Sequence, residues 1–170
     1  MKNNFEKIPV KSITTNVFSM WDDAWTLISA GNIEHFNSMT ASWGGFGVLW
    51  NKEIAIIFIR PQRFTYQFAN QYDYFTLSFF DEQYRAVLDF CGSHSGRNVD
   101  KTKEMGLHTF ATPMRNVGFE ESALLLECKK IYTFDLLPEK FIDPNIQKNY
   151  PKNDYHRAFI GEILHCYRHV

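Results

Sequence analysis

Short apolar or alternating runs of strand length, separated by turn residues, form the strongest pattern in this chain. The clearest is Glu53–Ile59, which is almost continuously apolar and therefore predicts a strand covered on both faces. Trp25–Ala30 and Phe36–Trp43 flank the turn-forming pair Gly31-Asn32, so they predict a hairpin. Three further regions have strand character: residues 74–80, residues 123–136 as one long or two shorter strands, and residues 157–167 with a β-bulge at Gly161.

Helical patterns are short and fall between these strands. Pro61 suits the first turn of a helix that continues over residues 63–70, and residues 83–91 carry apolar side chains at helical spacing. Asn98 is expected to cap a helix over residues 99–105 that ends at Gly106. The remaining segments are predicted as an edge strand at Pro9–Lys11, a flexible break at Gly44–Gly47, irregular structure over 107–121 and a surface loop over 138–154.

Together these elements predict a mainly β fold of six or seven strands with short helices in the connections. The strands do not alternate regularly with long helices, so a doubly wound parallel sheet is not expected. A closed or nearly closed antiparallel β-barrel, built from residues 1–170 as a single domain, fits the pattern. The aromatic content of 16% also favours sheet, because aromatic residues suit pleated, half-buried surfaces.

Charge and cysteine content limit the partners and the compartment. The formal net charge is −1, so no nucleic-acid partner is expected. The longest apolar stretch, Ile54–Ile59, is too short to cross a bilayer, and residues 1–7 lack the apolar region of a signal peptide. Three widely spaced cysteines without a CxxC pair are interpreted as reduced thiols. We therefore expect a cytoplasmic protein with no membrane partner.

Several common site motifs are absent from the sequence. It contains no G-x-G-x-x-G, no Walker A sequence and no G-x-S-x-G nucleophile elbow. The six histidines include no H-E-x-x-H and no other tight metal-ligand spacing, so no metal site is predicted. No catalytic side chain is identified, and spacing alone does not test for a hydrolase triad.

Residues 37–43 are the most informative polar segment. In a strand, Ser38, Thr40 and Ser42 share one face while the intervening residues share the other. Small side chains leave room for a flat ring to lie against the backbone, where main-chain N–H groups and Asn37 or Thr40 supply hydrogen bonds. The alternative is an ordinary strand with a polar solvent face. The candidate binding residues are Asn37, Ser38, Met39, Thr40, Ala41, Ser42 and Trp43.

A second segment, Arg60–Thr65, has the donors that a phosphate group requires. A phosphomonoester carries roughly −1.5 to −2 charges at neutral pH. Two guanidinium groups and a hydroxyl next to a helix start match that charge. Two exposed arginines that flank a helix cap are the alternative. The candidates are Arg60, Gln62, Arg63 and Thr65.

Two later segments add weaker candidates. Cys91–Lys101 contains two glycines that allow close approach to a ligand, with Ser95, Arg97 and Lys101 as donors. The alternative is a solvated loop that opens a short helix, and Cys91 is either redox active or a buried inert thiol. His156 follows the Pro-rich loop and either reaches a pocket rim or lies on the surface.

Taken in order, these four segments resemble the flavin reductase-like family. The run from Asn37 to Trp43 is similar to its flavin-contacting strand, and Arg60-Pro-Gln-Arg63-x-Thr65 to its phosphate segment. Cys91-Gly-x-x-Ser95-Gly-Arg97 and the stretch from His156 to Ile163 are similar to its third motif and its closing strand. The resemblance extends over roughly residues 15–167.

The resemblance implies an FMN-binding split β-barrel, a homodimer and an FMN-dependent oxidoreductase. In this hypothesis electrons pass from reduced nicotinamide (NADH or NADPH) through bound FMN to an acceptor. The alternative function is an FMN-carrying electron-transfer protein of the flavoredoxin type, without its own nicotinamide site. A small barrel that binds another ligand or a partner protein is the third interpretation.

Overall fold

The computed structural model describes residues 4–170, which contain ten strands and four short α-helices. Eight strands form one antiparallel sheet in the order β3-β2-β6-β9-β10-β5-β4, with β1 beside β10, while β7 and β8 pair with each other. The strands are β1 (Phe5–Lys7), β2 (Thr26–Asn32), β3 (His35–Ala41), β4 (Gly44–Leu49), β5 (Lys52–Ile59), β6 (Tyr74–Phe79), β7 (Thr109–Ala111), β8 (Val117–Phe119), β9 (Leu124–Asp135) and β10 (Arg157–His169). The helices are α1 (Val17–Ser19), α2 (Thr65–Gln71), α3 (Arg85–Ser93) and α4 (Lys101–Glu104). A π-helical turn covers Met20–Ala24, and 3-10 turns cover Val10–Ser12, Glu82–Tyr84, Pro138–Lys140 and Pro144–Asn149.

The two end strands of the large sheet are neighbours in sequence. β3 and β4 stand at opposite ends of the sheet, yet only Ser42 and Trp43 separate them. A connection of that length spans at most about 11 Å, so the sheet curls until its ends approach each other. The result is an antiparallel barrel that is split between β3 and β4. This confirms the mainly β, nearly closed barrel expected from the sequence.

Strand alternation decides which side chains fill the barrel. Phe75, Ile57 and Phe159, from three different strands, point inward and are at most 1% exposed. Burial of one such side chain contributes about 1.5–3 kcal/mol. Leu27 of β2 faces outward instead and packs with Leu88 of α3. Because α3 covers this outer face, the part of the sheet that includes β2 and β3 is buried on both sides.

The flexible break expected at Gly44–Gly47 is wrong. These glycines begin β4, which pairs with β5 in continuous register from Gly44↔Ile57 to Leu49↔Lys52. A Cβ on Gly44 would lie 2.3 Å from the Trp21 ring. Glycine is therefore needed here for close packing against an aromatic ring.

Two other sequence expectations place a strand or turn incorrectly. The edge strand expected at Pro9–Lys11 is wrong, because Val10–Ser12 forms a 3-10 turn and the edge strand is β1. Gly31 and Asn32 belong to β2, and the turn of the hairpin falls on the next two residues. Gly31 has φ +125°, and a Cβ there would lie 2.3 Å from the His35 carbonyl oxygen. The hairpin thus requires glycine within the strand.

The connections between the large strands contain more regular structure than expected. Residues 107–121 include the β7–β8 hairpin, which brings the number of strands to ten among residues 4–170. The helix expected over 99–105 is the single turn α4, and Asp100, not Asn98, caps it by accepting a hydrogen bond from the Lys103 N–H. Helices α2 and α3 begin two residues later than expected.

The long strands follow the sequence pattern. β9 is one strand, and the register of β10 against it shifts between Ile160 and Gly161, which confirms the bulge. A Cβ on Gly161 would lie 2.6 Å from the Phe75 ring, so the bulge also allows this ring to approach the backbone. Within residues 4–170, no helix combines the length and the apolar character needed to span a membrane.

Candidate functional site

The free edge of β3 forms one wall of the candidate site. β3 pairs with β2 on one side only, so alternate main-chain groups on its other side have no strand partner. The Ser38 carbonyl oxygen accepts hydrogen bonds from Lys101 Nζ (2.9 Å) and Asn37 Nδ2 (3.2 Å), which shows that it points away from β2. The main-chain groups of Thr40, two residues further, therefore face the same side.

The hydroxyl groups of β3 serve to anchor the strand. Ser38 Oγ lies 2.7 Å from Ser29 Oγ on β2, and Thr40 Oγ1 donates to the Leu88 carbonyl oxygen of α3. These bonds hold β3 against both neighbours in a region where Ser38 is only 6% exposed. The backbone of this strand, more than its hydroxyl groups, is therefore available to a ligand.

Three adjoining cavities lie along this edge. The strand cavity, of about 180 Å³, is lined by Met39, Thr40, Ala41, Ser42, Trp43, Phe58, Arg60, Arg63 and His156. The loop cavity, of about 150 Å³, is lined by Asn37, Met39, residues 62–65, residues 92–96 and Lys101. The side cavity, of about 580 Å³, is lined by residues 34–38, residues 96–102 and Thr109. Met39 and Arg63 line both the strand cavity and the loop cavity, so these two adjoin.

The site carries buried positive charge without an acidic partner. Arg63 Nη2 is buried and has no hydrogen-bond partner among residues 4–170. Burial, and then the nearby charge of Arg60, lower the pKa of Arg63. Lys101 is 7% exposed, and burial lowers its pKa to about 8, while Cys91 opposes the shift and Arg63 adds to it. No ion pair within residues 4–170 includes Arg63 or Lys101. Because a buried guanidinium requires compensation, this arrangement suits an anionic ligand.

Asn37 joins the strand to the loop that closes the site. Its Nδ2 donates to Thr65 Oγ1 at 2.6 Å, and both residues are buried. Gly96 packs directly over this pair, since a Cβ there would lie 1.8 Å from Asn37 Oδ1. The glycine predicted to permit close approach to a ligand therefore approaches Asn37, and it positions the loop after α3, residues 94–96, against β3.

Arg60 lines the strand cavity, but other residues already hold its guanidinium group. Nη1 donates to Asp154 Oδ2 at 2.8 Å and Nη2 donates to the Asn149 carbonyl oxygen at 2.9 Å. The group also lies 5.1 Å from the centre of the Tyr150 ring. The hydrogen bond from Arg60 lowers the pKa of Asp154. Gln62 Nε2 donates to the same Asp154 oxygen, so both side chains fasten the 149–154 segment to the site.

His156 lies at the far wall of the strand cavity and is 7% exposed. Its ring centre is 5.1 Å from that of Trp43, and Tyr150 Oη lies 2.9 Å from its Nδ1. Burial, followed by the charge of Arg60, lowers the pKa of His156 to about 4, although Asp154 opposes the shift. The imidazole is therefore neutral at neutral pH. Because the residue is buried, His156 is not the surface histidine that was the alternative interpretation of the sequence.

The remaining predicted residues lie around the loop cavity and the side cavity. Ser95 lines the loop cavity, and its carbonyl oxygen accepts from the N–H groups of Asn98 and Val99 in a turn. Arg97 lines the side cavity, donates to the Gln62 carbonyl oxygen at 3.2 Å and lies over the Phe64 ring. Cys91 is 1% exposed, and burial raises the pKa of its thiol, so it is protonated at neutral pH.

The structure adds site residues that the sequence did not indicate. Phe58 lines the strand cavity, and Tyr150 contacts both Arg60 and His156. Phe58 belongs to an apolar strand, where no feature of the sequence distinguishes it from core residues. Tyr150 belongs to the segment interpreted as a surface loop. A tyrosine in that segment, only six residues before a candidate histidine, was the one available signal.

The comparisons with known proteins agree with this geometry. Residues 23–169 match the model of the flavin reductase like domain, and the chain belongs to this family. No curated protein matches the sequence.

Solved structures share the fold at low sequence identity. An FMN-binding domain of a flavin reductases-like enzyme from Shewanella baltica has a TM-score of 0.71 at 18% identity, over 99% of this chain and 79% of that one. Flavoredoxin from Methanosarcina acetivorans has a TM-score of 0.67 at 21% identity, over 96% and 75%. An NADH:FAD oxidoreductase from Streptomyces globisporus has a TM-score of 0.66 at 16% identity, over 85% and 74%. The fold is therefore that of FMN-binding, flavin reductase-like proteins.

Proposed function

We propose that the protein is an FMN-dependent oxidoreductase that passes electrons from reduced nicotinamide through bound FMN to an acceptor. The observation that carries the proposal is the buried Nη2 atom of Arg63, which has no hydrogen-bond partner within residues 4–170 and lies beside Lys101 where two cavities adjoin along the free edge of β3. An anionic group attached to a flat ring would occupy both cavities. The chain itself forms one domain in this proposal.

The residues fit the two ends of FMN differently. Arg63, Thr65 and Lys101, with Asn37, Gln62, Ser95 and Arg97 around them, surround the region proposed for the phosphate. Met39 to Trp43, with Arg60 and His156, surround the region proposed for the ring, and Ser38 contributes its main chain. Main-chain donors along a strand edge are already oriented, so they stabilise negative charge on a ring without reorganisation. When bound, FMN supplies the redox chemistry, and the protein supplies orientation and electrostatics.

The homodimer in this proposal would cover exposed aromatic side chains. Trp43 is 44% exposed and Trp50 is 57% exposed. The Trp50 ring centre lies 6.0 Å from that of Tyr132, which in turn lies 6.2 Å from Phe134. Exposed aromatic groups that adjoin one another are typical of interfaces. Sedimentation should show a dimer, and a monomer with full FMN affinity would contradict a site shared between subunits.

The test of the proposal compares FMN with riboflavin, which lacks the phosphate. The purified protein is expected to be yellow or to quench the fluorescence of added FMN. FMN should bind at least about tenfold more tightly than riboflavin, because charge-assisted hydrogen bonds to phosphate are worth more than about 1.4 kcal/mol. Failure to take up FMN would reject the proposal. Equal affinity for both ligands would reject the phosphate role of Arg63 and Lys101.

A flavoredoxin-type electron carrier is the second candidate function. It is favoured by the fold shared with the Methanosarcina acetivorans flavoredoxin and by the absence of a dinucleotide-binding fingerprint. Anaerobic mixing of the FMN-loaded protein with NADH or NADPH separates the two candidates. Rapid loss of the flavin absorbance indicates a reductase. An unchanged spectrum, with reduction by a protein donor, indicates a carrier.

Gly96→Ala is expected to weaken FMN binding by about tenfold, because the added Cβ displaces Asn37 and breaks its buried bond to Thr65. The same change should lower the free energy of unfolding by about 1–2 kcal/mol. Gly47→Ala is the matched control, since nothing lies within 4 Å of its added Cβ. FMN titration and urea unfolding measure both effects. A Gly96→Ala protein with native affinity would show that the Asn37–Thr65 bond does not support the site.

A further inference from the structure

Tyr150 and His156 form a hydrogen-bonded pair that is shielded from solvent. Tyr150 Oη lies 2.9 Å from His156 Nδ1, and the two residues are 2% and 7% exposed. Within residues 4–170, no other hydrogen bond involves the Tyr150 hydroxyl. The Tyr150 hydroxyl and His156 Nδ1 must therefore satisfy each other's hydrogen-bonding capacity. Only one direction of the hydrogen bond between them does so fully.

The direction of this hydrogen bond decides the tautomer of the imidazole. If Nδ1–H donated to Tyr150 Oη, the hydroxyl proton would be buried without an acceptor, which is unfavourable. If the hydroxyl donates to Nδ1, both groups are satisfied and the ring proton lies on Nε2. The second arrangement is therefore the stable one, and it leaves Nε2 as a donor.

Within residues 4–170, no group accepts a hydrogen bond from the Nε2 proton. No hydrogen bond from His156 Nε2 exists among the described residues, and Nε2 is not among their fully buried unpartnered atoms. The ring forms a wall of the strand cavity, between the aromatic side chains of Trp43 and Phe58. The only free polar atom of the ring is thus accessible from the cavity.

Burial, and then the charge of Arg60, lower the pKa of His156 and keep the imidazole neutral. Arg60 lies beside it and opposes a second positive charge, while Asp154, which favours protonation, is already paired with Arg60 and Gln62. A neutral Nε2–H donor keeps the same charge when the ligand in the cavity is oxidised or reduced. Its hydrogen bond therefore selects an acceptor atom without adding charge.

We propose that Tyr150 is a positioning residue that holds His156 as a neutral, Nε2-protonated hydrogen-bond donor directed into the strand cavity. The donor meets an oxygen or nitrogen acceptor of the molecule bound there, and the identification of that molecule as FMN rests on the proposed function. The tautomer itself is a property of the protein without ligand. The two parts of the inference can therefore be tested separately.

Nitrogen NMR of the protein labelled with 15N-histidine tests the first part. The His156 signals, assigned by their loss in His156→Gln, should show a proton on Nε2 and none on Nδ1 at neutral pH. In Tyr150→Phe the ratio of the Nε2–H to the Nδ1–H form should fall by about tenfold, the factor that one ordinary hydrogen bond supplies. The pH at which His156 titrates should also rise, because the neutral ring loses its partner while Arg60 and Asp154 remain.

Tyr155→Phe is the matched control. It removes the hydroxyl of a neighbouring tyrosine, whose ring centre lies 5.0 Å from that of Tyr150. The Tyr155 hydroxyl forms hydrogen bonds with Gln147 and Asn153 and not with His156. The substitution should leave the tautomer unchanged, and thermal unfolding of both variants shows that the fold persists. An unchanged tautomer ratio in folded Tyr150→Phe overturns the positioning role.

Saturation with FMN tests the second part. Bound FMN should accept a hydrogen bond from the Nε2 proton or shield this proton from water. Exchange of the Nε2 proton with solvent should therefore become at least about tenfold slower when FMN fills the cavity. If FMN binds but the exchange rate is unchanged, the donor does not face the bound ligand and that part is overturned. If FMN is not taken up at all, the proposed function fails, while the tautomer measurement still decides the role of Tyr150.

Discussion

Arg63→Met is expected to weaken FMN binding by roughly a hundredfold, because a hydrogen bond to a charged group is worth about 1.5–3 kcal/mol. The Nη2 atom of Arg63 is buried where the strand cavity and the loop cavity adjoin, and nothing within residues 4–170 forms a hydrogen bond with it. No other guanidinium there is equally available, since Arg60 is held by Asp154 and the Asn149 carbonyl oxygen. The loss of Arg63 therefore has no replacement.

The same substitution should stabilise the protein without FMN. Burial and the charge of Arg60 both lower the pKa of Arg63, so the folded protein disfavours this cation. Methionine places an apolar side chain in a site that Met39 also lines. The substitution also removes the unpaired charge. The free energy of unfolding, measured by urea titration without FMN, should rise. A substitution that weakens FMN binding but raises the free energy of unfolding identifies a residue whose partner is the ligand.

Lys11→Met is the control for the charge change. The Lys11 side chain is 82% exposed, pairs with Glu53 at 3.6 Å and lines none of the three cavities. Its loss should change FMN affinity and stability by less than about 0.5 kcal/mol. If Arg63→Met binds FMN as tightly as the native protein, Arg63 does not contact the phosphate. If its unbound form is less stable, the guanidinium has a structural role instead.

Acid is expected to remove about 3 kcal/mol of stability through His156 as the pH falls from 6.5 to 4. The folded protein lowers the pKa of His156 from 6.5 to about 4, and each pKa unit corresponds to about 1.4 kcal/mol. Above pH 6.5 the residue is neutral in both states and contributes no pH dependence. Between pH 6.5 and 4 only the unfolded chain binds the proton, so the unfolded state is favoured as the pH falls. Below about pH 4 the dependence on His156 ends.

The difference between the native protein and His156→Gln isolates this effect. Asp135 and Asp154 also have lowered pKa values, and protonation of these carboxyl groups destabilises both proteins in acid. Subtracting the two stability curves removes such shared contributions. The stability advantage of native His156 should shrink by about 3 kcal/mol between pH 7 and pH 4. A difference that does not depend on pH would show that the imidazole is not buried in its neutral form.

Much of the site could be predicted from the order of polar residues along the chain. The residues chosen at 37–43, 60–65, 95–101 and 156 all line one of three adjoining cavities. This follows because residues 37–41 lie on the free edge of β3, while the other three segments adjoin the ends of β5, α3 and β10. Whether these residues bind FMN stays a prediction that the titrations above test.

The roles of individual site residues could not be predicted in the same way. Arg60 and Arg63 are equivalent in sequence, but the structure pairs Arg60 with Asp154, 94 positions away, and leaves Arg63 Nη2 without a hydrogen-bond partner among residues 4–170. Thr40 was expected to bond a ligand, yet its hydroxyl donates to Leu88 of α3. Such distinctions depend on contacts between distant segments, and no local pattern encodes them.

The sequence by itself determined the long central strands, because continuous apolar runs and alternating burial are visible locally, whereas it missed β4 and the β7–β8 hairpin. It also determined the family resemblance and the four candidate segments. Only the tertiary structure decided that β3 and β4 are the two edges of one curled sheet, that Arg63 Nη2 lacks a partner among residues 4–170 and that the Tyr150 hydroxyl lies against His156 Nδ1. These features arise when the barrel closes, since closure alone fixes which main-chain and side-chain groups are left without a partner in the protein.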